Sequence, residues 1–183
     1  VYYEDDFAST ATVEDGDTGT KIIYGGNWTV DGTAQSSEKQ SSDNKVQHGW
    51  DDSYKDDKNY SNGTAHKGTT GATATFKFTG TGVDIYSRTD LTTGKVLATL
   101  TKDGATAASK LMIVDNKAAS GTYYQVPTLF FEGLDYGTYE VKIQVLNPIK
   151  EGKSARGTYY LDGIRVYNPL GVTTPEKVKN AYN

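Results

Sequence analysis

The chain has 183 residues, a formal net charge of −4 and a pI near 5.2, and it contains no cysteine. Disulfides, thiolate metal sites and thiol nucleophiles are therefore excluded, and no basic surface for nucleic acid is expected. The longest apolar runs have only three or four residues, far fewer than the roughly 18 that a membrane helix needs. A chain of this length is typical of a single domain.

Alternating apolar and polar residues predict eight to nine short strands, separated by glycine-rich turns. In chain order the predicted strands are 1–7, 21–24, 72–78, 82–86, 95–101, 110–114, 122–131, 139–145 and 158–167. Pro127 indicates that the strand at 122–131 lies at a sheet edge or contains a bulge, because proline cannot donate a backbone hydrogen bond. No segment before the tail has helical periodicity, which predicts an all-β sandwich or jelly roll. We expect one domain over 1–168 and an exit segment or linker over 169–183.

Residues 31–71 break this pattern. The segment has only three aliphatic residues among many serine, aspartate, asparagine, lysine and glycine residues. Loops of this length are uncommon in compact domains unless they are functional or disordered. Three aromatic residues, Trp50, Tyr54 and Tyr60, argue against a disordered spacer. Their rings are either anchored on the core or presented to a ligand, and the sequence leaves both alternatives open.

Aromatic rings among polar side chains have the chemistry to bind a sugar. An aromatic ring buries a large area and can cover the C–H face of a sugar, while nearby polar side chains bond its hydroxyls. The predicted carbohydrate site consists of three rings and their polar neighbours: Trp50, Tyr54, Tyr60, His48, Asp51 and Lys58. In the alternative, Trp50 and Tyr54 anchor one turn of the loop on the sandwich.

A second aromatic set lies in the predicted strand at 122–131. Its members are two adjacent pairs, Tyr123 with Tyr124 and Phe130 with Phe131. Adjacent residues of a strand point to opposite faces, so one residue of each pair is expected in the core. The outward residue of each pair is a second candidate for a sugar-binding face.

Several segments, in the same order along the chain, carry a family resemblance. They are IYGGNW at 23–28, NGTAH at 62–66, GATATFKFTGTGVDIY at 71–86, LDYGTYEVKI at 134–143 and YLDGIRVY at 160–167. Together they resemble the galactose-binding-like jelly rolls found among carbohydrate-binding modules, of the kind present in surface starch- and glycan-binding proteins of gut bacteria. One departure is Tyr139, which stands where many relatives have histidine.

The resemblance implies a β-sandwich jelly roll that binds a polysaccharide without catalysis, with starch or another α-glucan as the favoured ligand. It implies a monomeric module within a larger multi-domain protein, located outside the cell or on a bacterial cell surface. The missing initiator methionine agrees with a piece of a longer precursor. The resemblance also implies structural positions for Trp28 and His66, and two histidines are too few for a histidine metal cluster.

Asp162 is the most informative acidic residue of the chain. Alternation in the last predicted strand puts it on the same inward face as Ile164 and Val166, where a carboxylate must be paired, hydrogen-bonded or bound to a metal. In many relatives this aspartate and an N-terminal acidic residue hold structural calcium, so the resemblance implies a calcium site at Glu4 and Asp162. The usual N-terminal pair of glutamates is replaced here by YEDD at 3–6. A carboxylate capped by backbone N–H groups is the alternative.

Motifs of the common enzyme classes are missing from the sequence. It has no nucleophile elbow, phosphate loop or metalloprotease helix. Glycoside hydrolysis needs two carboxylates at a controlled separation, one of them with a raised pKa, whereas the acidic residues here lie mostly in polar turns. We therefore expect a binding protein rather than an enzyme, with a polysaccharide as partner and neither nucleic acid nor membrane. A structural or protein-contact module of a surface adhesin is the alternative.

Overall fold

A computed structural model describes residues 2–5, 22–32 and 60–169, which contain thirteen β-strands and a short 3₁₀ turn at Ser61–Gly63. The strands are β1 Tyr2–Glu4, β2 Ile23–Gly25, β3 Trp28–Gly32, β4 Thr64–Gly68, β5 Thr73–Gly80, β6 Gly82–Thr89, β7 Lys95–Lys102, β8 Lys110–Asp115, β9 Tyr123–Phe131, β10 Gly137–Val145, β11 Ile149–Glu151, β12 Ser154–Arg156 and β13 Tyr159–Tyr167. Within these ranges no helix has the length and apolarity needed to cross a membrane.

Two antiparallel sheets pack face to face as a β-sandwich. The six-stranded sheet has the order β3-β4-β13-β6-β9, with β1 paired to the second half of β13. The five-stranded sheet has the order β2-β5-β10-β7-β8, and β11 and β12 form a separate hairpin. Successive strands from β4 to β7 alternate between the two sheets, as in a jelly roll. The all-β sandwich predicted from the sequence is confirmed.

The core lies between the sheets and is built by the period-two alternation of the strands. Its largest fully buried aliphatic and phenylalanine side chains are Phe76, Ile85, Leu100, Leu129, Phe131, Ile143, Leu161 and Ile164. Burying one such side chain stabilises the fold by about 1.5–3 kcal/mol relative to leaving it exposed. The opposite faces of the same strands therefore carry the residues that solvent or a ligand can reach.

Strands with strong alternation lie where the sequence predicts them, and those without it were not predicted. All seven predicted strands between 72 and 167 are present, with boundary shifts of a few residues. The missed strands β3 and β4 contain glycine, aspartate, histidine and lysine, so they show little apolar periodicity. They form because β4 pairs with β13 on one side and with β3 on the other.

The interpretation of Pro127 as an edge or bulge residue is confirmed on both counts. β9 is the edge strand of the six-stranded sheet. Its pairing with β6 shifts register between Leu129, opposite Ile85, and Pro127, opposite Tyr86, which leaves Thr128 as an extra residue. The irregularity bends the strand that flanks the site described below.

Candidate functional site

The outer face of the six-stranded sheet, on the side away from the core, carries aromatic and charged side chains from three neighbouring strands. In β13, β6 and β9 respectively, Arg165 lies opposite Asp84, and Asp84 lies opposite Phe130. Phe130 is 51% exposed and Tyr167 is 39% exposed. Their neighbours in sequence, Phe131 and Val166, are buried in the core. Tyr86 lies on the same face, with the Arg165 guanidinium 5.7 Å from its ring centroid.

A cleft of about 320 Å³ opens at one end of this face, lined by Thr81, Gly82, Glu132, Gly133 and Tyr167. Its walls are held by backbone hydrogen bonds, from the Thr81 amide to the Tyr167 carbonyl at 2.8 Å and from the Leu134 amide to the Thr81 carbonyl at 2.9 Å. Gly82, which lines the cleft, lets β6 approach β9 closely, because a Cβ at this position would lie 2.8 Å from the Phe131 carbonyl oxygen. Tight backbone approach of this kind is a position where glycine is required.

Two carboxyl groups meet beside the cleft. Asp84 is 7% exposed, and its Oδ2 accepts a 2.5 Å hydrogen bond from the Tyr167 hydroxyl. Its buried Oδ1 has no hydrogen-bond partner. Asp84 raises the pKa of the solvent-exposed Glu132 carboxyl. Hydrogen bonding to Asp84, together with partial burial, raises the pKa of Tyr167 to about 12.

This arrangement can bind ligands in two chemical ways. The carboxylate oxygens can accept hydrogen bonds from hydroxyl groups or coordinate a hard cation. The exposed rings of Phe130 and Tyr167 offer apolar faces next to those oxygens. Among the described residues, Asp84 Oδ1 is one of three buried side-chain oxygens without a hydrogen-bond partner, together with Asn116 Oδ1 and the Tyr159 hydroxyl.

At the other end of the outer face, the aromatic residues are packed together and not exposed. The buried Tyr60 hydroxyl donates to Asp31 Oδ2 at 2.6 Å and accepts from Arg88 Nη1 at 2.9 Å. The Arg88 guanidinium lies 4.5 Å from the Tyr160 ring centroid and 5.5 Å from that of Tyr124. Burial, followed by the hydrogen bond to Asp31, raises the pKa of Tyr60 far above its ordinary value. The cluster therefore joins β3, β6, β9 and β13 and stabilises this end of the sheet.

The predicted carbohydrate site on residues 31–71 is described only at its ends. Trp50, Tyr54, His48, Asp51 and Lys58 lie outside the described residues. Tyr60, the remaining predicted ring, has no exposed surface and packs edge-on against Tyr124, with ring centroids 5.2 Å apart. Its ring is therefore not available for stacking on a sugar, and the structure corrects this part of the prediction in favour of the anchoring alternative.

Asp162 is fully buried, as predicted. The pairing of β13 with β6 shifts register between Leu161 and Gly163, so Leu161 and Ile164 both enter the core despite their odd and even numbers. The alternation from which the shared face with Ile164 and Val166 was predicted is interrupted by this bulge at Asp162 itself. The Asp162 carboxylate accepts the Ser61 amide, at 3.0 and 3.2 Å.

This contact matches the capped-carboxylate alternative for Asp162. Glu4 pairs with Gly163 through its backbone, which puts β1 beside Asp162, but the Glu4 side chain lies outside the described residues. Among the residues that the structure does describe, no group of three or more Asp, Glu or His residues is placed to hold a metal ion. Calcium at Glu4 and Asp162 stays a prediction.

Trp28 and His66 have the structural environments that the resemblance implies. The Trp28 indole packs against the core and donates to the carbonyls of Gly25 and Thr73, at 2.9 and 3.0 Å. His66 Nδ1 lies 2.6 Å from the buried carboxylate of Asp5, and its ring stacks on Tyr24 at 3.8 Å. Trp28 therefore connects β3 to β2 and β5, and His66 connects β4 to Asp5 at the end of β1.

The second aromatic set is closer to the prediction. Phe131 is buried in the core and Phe130 points outward, as alternation requires. Tyr124 packs into the cluster around Arg88, whereas Tyr123 is 54% exposed. Sequence reasoning missed Asp84, Glu132 and Tyr167. For Asp84 a signal was available, because a carboxylate between two apolar residues of a strand, Val83 and Ile85, is expected on the outward face.

Comparisons with known proteins show the fold. No family model matches the chain, and no curated protein matches it. A crystal structure of a two-domain esterase (CEX) active on acetylated mannans matches with a TM-score of 0.51 and 10% identity, over 92% of this chain and 36% of that chain. A crystal structure of a two-domain esterase (CEX) active on acetylated mannans, co-crystallized with mannopentaose, matches with a TM-score of 0.40 and 14% identity, over 60% of this chain and 28% of that chain. This chain thus spans little more than a third of the length of the first structure, and the likeness at such low identity concerns fold alone.

Proposed function

We propose that this domain is a non-catalytic carbohydrate-binding module of a larger secreted or cell-surface protein. The observation that carries the proposal is the pair of exposed rings, Phe130 and Tyr167, on the outer sheet face next to the carboxyls of Asp84 and Glu132. Exposed rings supply apolar surface for the C–H face of a sugar, and carboxylates accept its hydroxyl hydrogens. This is the binding chemistry that the sequence assigns to residues 31–71, here found on a second surface.

The dimensions of the face fit a short stretch of polysaccharide. Neighbouring strands lie about 4.8 Å apart, so the row Arg165–Asp84–Phe130 across three strands spans roughly 10 Å. The row crosses the strands and ends at the edge strand β9. A polysaccharide bound along the row can therefore extend beyond this edge of the sheet. We infer an open platform that binds internal sugar units.

The geometry of the two carboxyls supports binding rather than hydrolysis. A glycosidase holds its carboxyl pair about 5–5.5 Å apart when it retains and further apart when it inverts the anomeric configuration. Asp84 is 7% exposed and its Oδ2 already accepts the Tyr167 hydroxyl, so this carboxyl is not open to act as a nucleophile or base on a bound sugar. This argument supports the non-catalytic part of the proposal.

Mannans are the first ligand class to test. The esterase with the similar fold acts on acetylated mannans, and an esterase and a binding module can share a polysaccharide. The α-glucan favoured at the level of sequence has no such support. We therefore propose a mannan as ligand, with starch retained as a comparison.

Affinity electrophoresis against a polysaccharide panel tests the proposal. Mannan, acetylated mannan, starch and xylan are cast into separate native gels, and migration is compared with a gel that contains no glycan. We expect one class to retard the protein, with a dissociation constant between micromolar and millimolar. Phe130→Ala should restore free migration, while Leu111→Ala, an equally exposed residue on the five-stranded sheet, should not.

Further variants and outcomes separate the two candidate surfaces. Retardation that survives Phe130→Ala but is lost in Trp50→Ala would move the site to residues 31–71. Retardation by none of the glycans would contradict carbohydrate binding altogether.

A protein-contact module is the second candidate, and a different surface favours it. Leu111 and Ile113 are 63% and 62% exposed on β8, the edge strand of the five-stranded sheet. Apolar residues on an exposed edge strand are typical of a contact surface. Sedimentation velocity of wild type and Leu111→Glu would detect self-association through this edge, which predicts a concentration-dependent dimer in wild type alone.

A further inference from the structure

The Tyr167 side chain lies across the neighbouring strand. Tyr167 is the last residue of β13 and pairs with Gly82 of β6. Its ring atom Cδ2 is 3.6 Å from the point that a Cβ of Gly82 would occupy, so the ring passes over this glycine. The hydroxyl at the far end of the ring donates to Asp84 Oδ2 at 2.5 Å. Since Gly82 and Asp84 are alternate residues of one strand, the ring lies along the outer face of β6 between them.

Asp84 is placed to hold this ring and not to touch a ligand. Asp84 is 7% exposed, whereas Tyr167 is 39% exposed. Among the described residues that line the cleft, Tyr167 is present and Asp84 is not. A short hydrogen bond from a hydroxyl to a carboxylate is about twice as strong as one between neutral groups. The same bond is the first cause of the raised pKa of Tyr167, about 12.

A ring that is fixed in advance improves a weak binding site. An exposed side chain moves among staggered rotamers unless a second contact selects one of them. Ligand binding then costs free energy, because the side chain must be immobilised in the complex. The hydrogen bond to Asp84 removes this cost for Tyr167, so Asp84 can raise the affinity for a ligand that it does not touch.

We propose that Asp84 is a positioning residue, which fixes the Tyr167 ring through its hydroxyl as one wall of a glycan-binding cleft. The inference rests on the proposed carbohydrate binding and divides the work within that site. The Tyr167 ring covers the apolar face of a sugar, and the exposed Glu132 carboxyl in the same cleft accepts its hydroxyl hydrogens. Asp84 does neither and acts through Tyr167 alone.

A double-mutant cycle measured by isothermal titration calorimetry tests the proposal, with mannopentaose, maltopentaose and xylopentaose as separate ligands. Tyr167→Phe keeps the ring and removes the hydroxyl, and Asp84→Ala removes the acceptor. Each should raise the dissociation constant by about three- to tenfold, the effect of leaving one side chain free before binding. The double variant should bind no more weakly than either single variant, because all three lack the same hydrogen bond. Asp84→Asn keeps an acceptor oxygen and should stay within about twofold of wild type.

Two matched controls remove the same groups elsewhere. Tyr139→Phe deletes a buried hydroxyl that donates to the Asp135 carbonyl at 2.6 Å. Asp103→Ala deletes an exposed carboxylate that pairs with Lys77 of the five-stranded sheet. Neither change should alter the affinity, and the thermal midpoint of each variant shows whether it is folded. Since Tyr167→Phe removes only a hydroxyl, it tests the hydrogen bond even if Asp84→Ala does not fold.

The hydrogen bond can also be measured without any glycan. In NMR spectra of protein labelled at the tyrosine ¹³Cζ, the resonance that is missing from Tyr167→Phe identifies Tyr167. In wild type this phenol should remain mostly protonated at about pH 11, and in Asp84→Ala it should titrate nearer the ordinary value of 10.0. Equal titration in the two proteins would overturn the proposal.

The calorimetry separates failure of the positioning role from failure of the proposed function. Wild-type affinity in Tyr167→Phe or Asp84→Ala would overturn the positioning role and leave carbohydrate binding intact. Additive losses in the double variant would do the same, since they would mean that Asp84 contacts the sugar itself. Binding of none of the three pentaoses by wild type would refute the proposed function, and this inference with it.

Discussion

At the scale of single residues, a carboxyl group near a second carboxyl responds to pH in the opposite way from one near a cation. Arg156 hydrogen-bonds Asp115 and lowers the pKa of that carboxyl, which stabilises the fold above its ordinary value of 3.8. Asp84 instead raises the pKa of Glu132 above 4.5. The folded state therefore binds more protons at Glu132 than the unfolded chain does, and stability falls as pH rises through this range.

Replacing Glu132 should remove this penalty. In EDTA, the free energy of unfolding of wild type should decrease as pH rises from about 4.5 through the raised pKa of Glu132, relative to Glu132→Gln. Urea unfolding at half-unit steps from pH 4 to 8 measures the difference between the two curves. Asp103→Asn serves as the control carboxyl. Parallel curves for wild type and Glu132→Gln would contradict this effect of Asp84.

At the scale of elements, alternation of apolar and polar residues was sufficient to predict the strands that have one buried and one exposed face. It did not predict strands that form through pairing with a neighbour, or side-chain faces next to a bulge. β10 was predicted because Tyr139, Val141 and Ile143 alternate with polar residues. β3 and β4 have no such pattern and form because β13 offers an edge. The register shift at Asp162 could not be predicted either, because period-two spacing does not show a bulge.

The two faces of β10 give a matched test of this account. Ile143 is fully buried in the core, and its neighbour Lys142 is exposed on the same strand. Ile143→Ala should lower the free energy of unfolding by about 2–5 kcal/mol, because it removes buried surface and leaves a cavity. Lys142→Ala should change it by about 0.5 kcal/mol or less. Equal effects in guanidinium chloride unfolding would show that this strand does not separate core from solvent as described.

At the scale of the whole molecule, function depends on residues that are distant in the chain and meet only through the sheet. The outward position of Phe130 followed from alternation alone, and the structure confirms it. The effect of Asp84 on the pKa of Glu132 depends on the pairing of β6 with β9 and so could not be predicted. Tyr60 was misjudged for a related reason, since its partners Asp31 and Arg88 come from two other strands.

The same sheet thus separates two uses of aromatic residues. Around Arg88 the rings are packed and stabilise the fold, whereas around the cleft the rings of Phe130 and Tyr167 remain exposed beside carboxyl groups. The central claim is that this second surface binds glycan. The proposal predicts that Phe130→Ala loses binding without loss of stability, because the ring is half exposed.

The most direct measurement is isothermal titration calorimetry of mannan oligosaccharides into wild type, Phe130→Ala and Leu111→Ala, each checked for an unchanged thermal midpoint. We predict saturable binding to wild type and Leu111→Ala, and at least a tenfold weaker dissociation constant for Phe130→Ala, about 1.4 kcal/mol or more. Equal affinity of Phe130→Ala and wild type for the oligosaccharide would contradict the assignment of the binding surface to this face of the sheet.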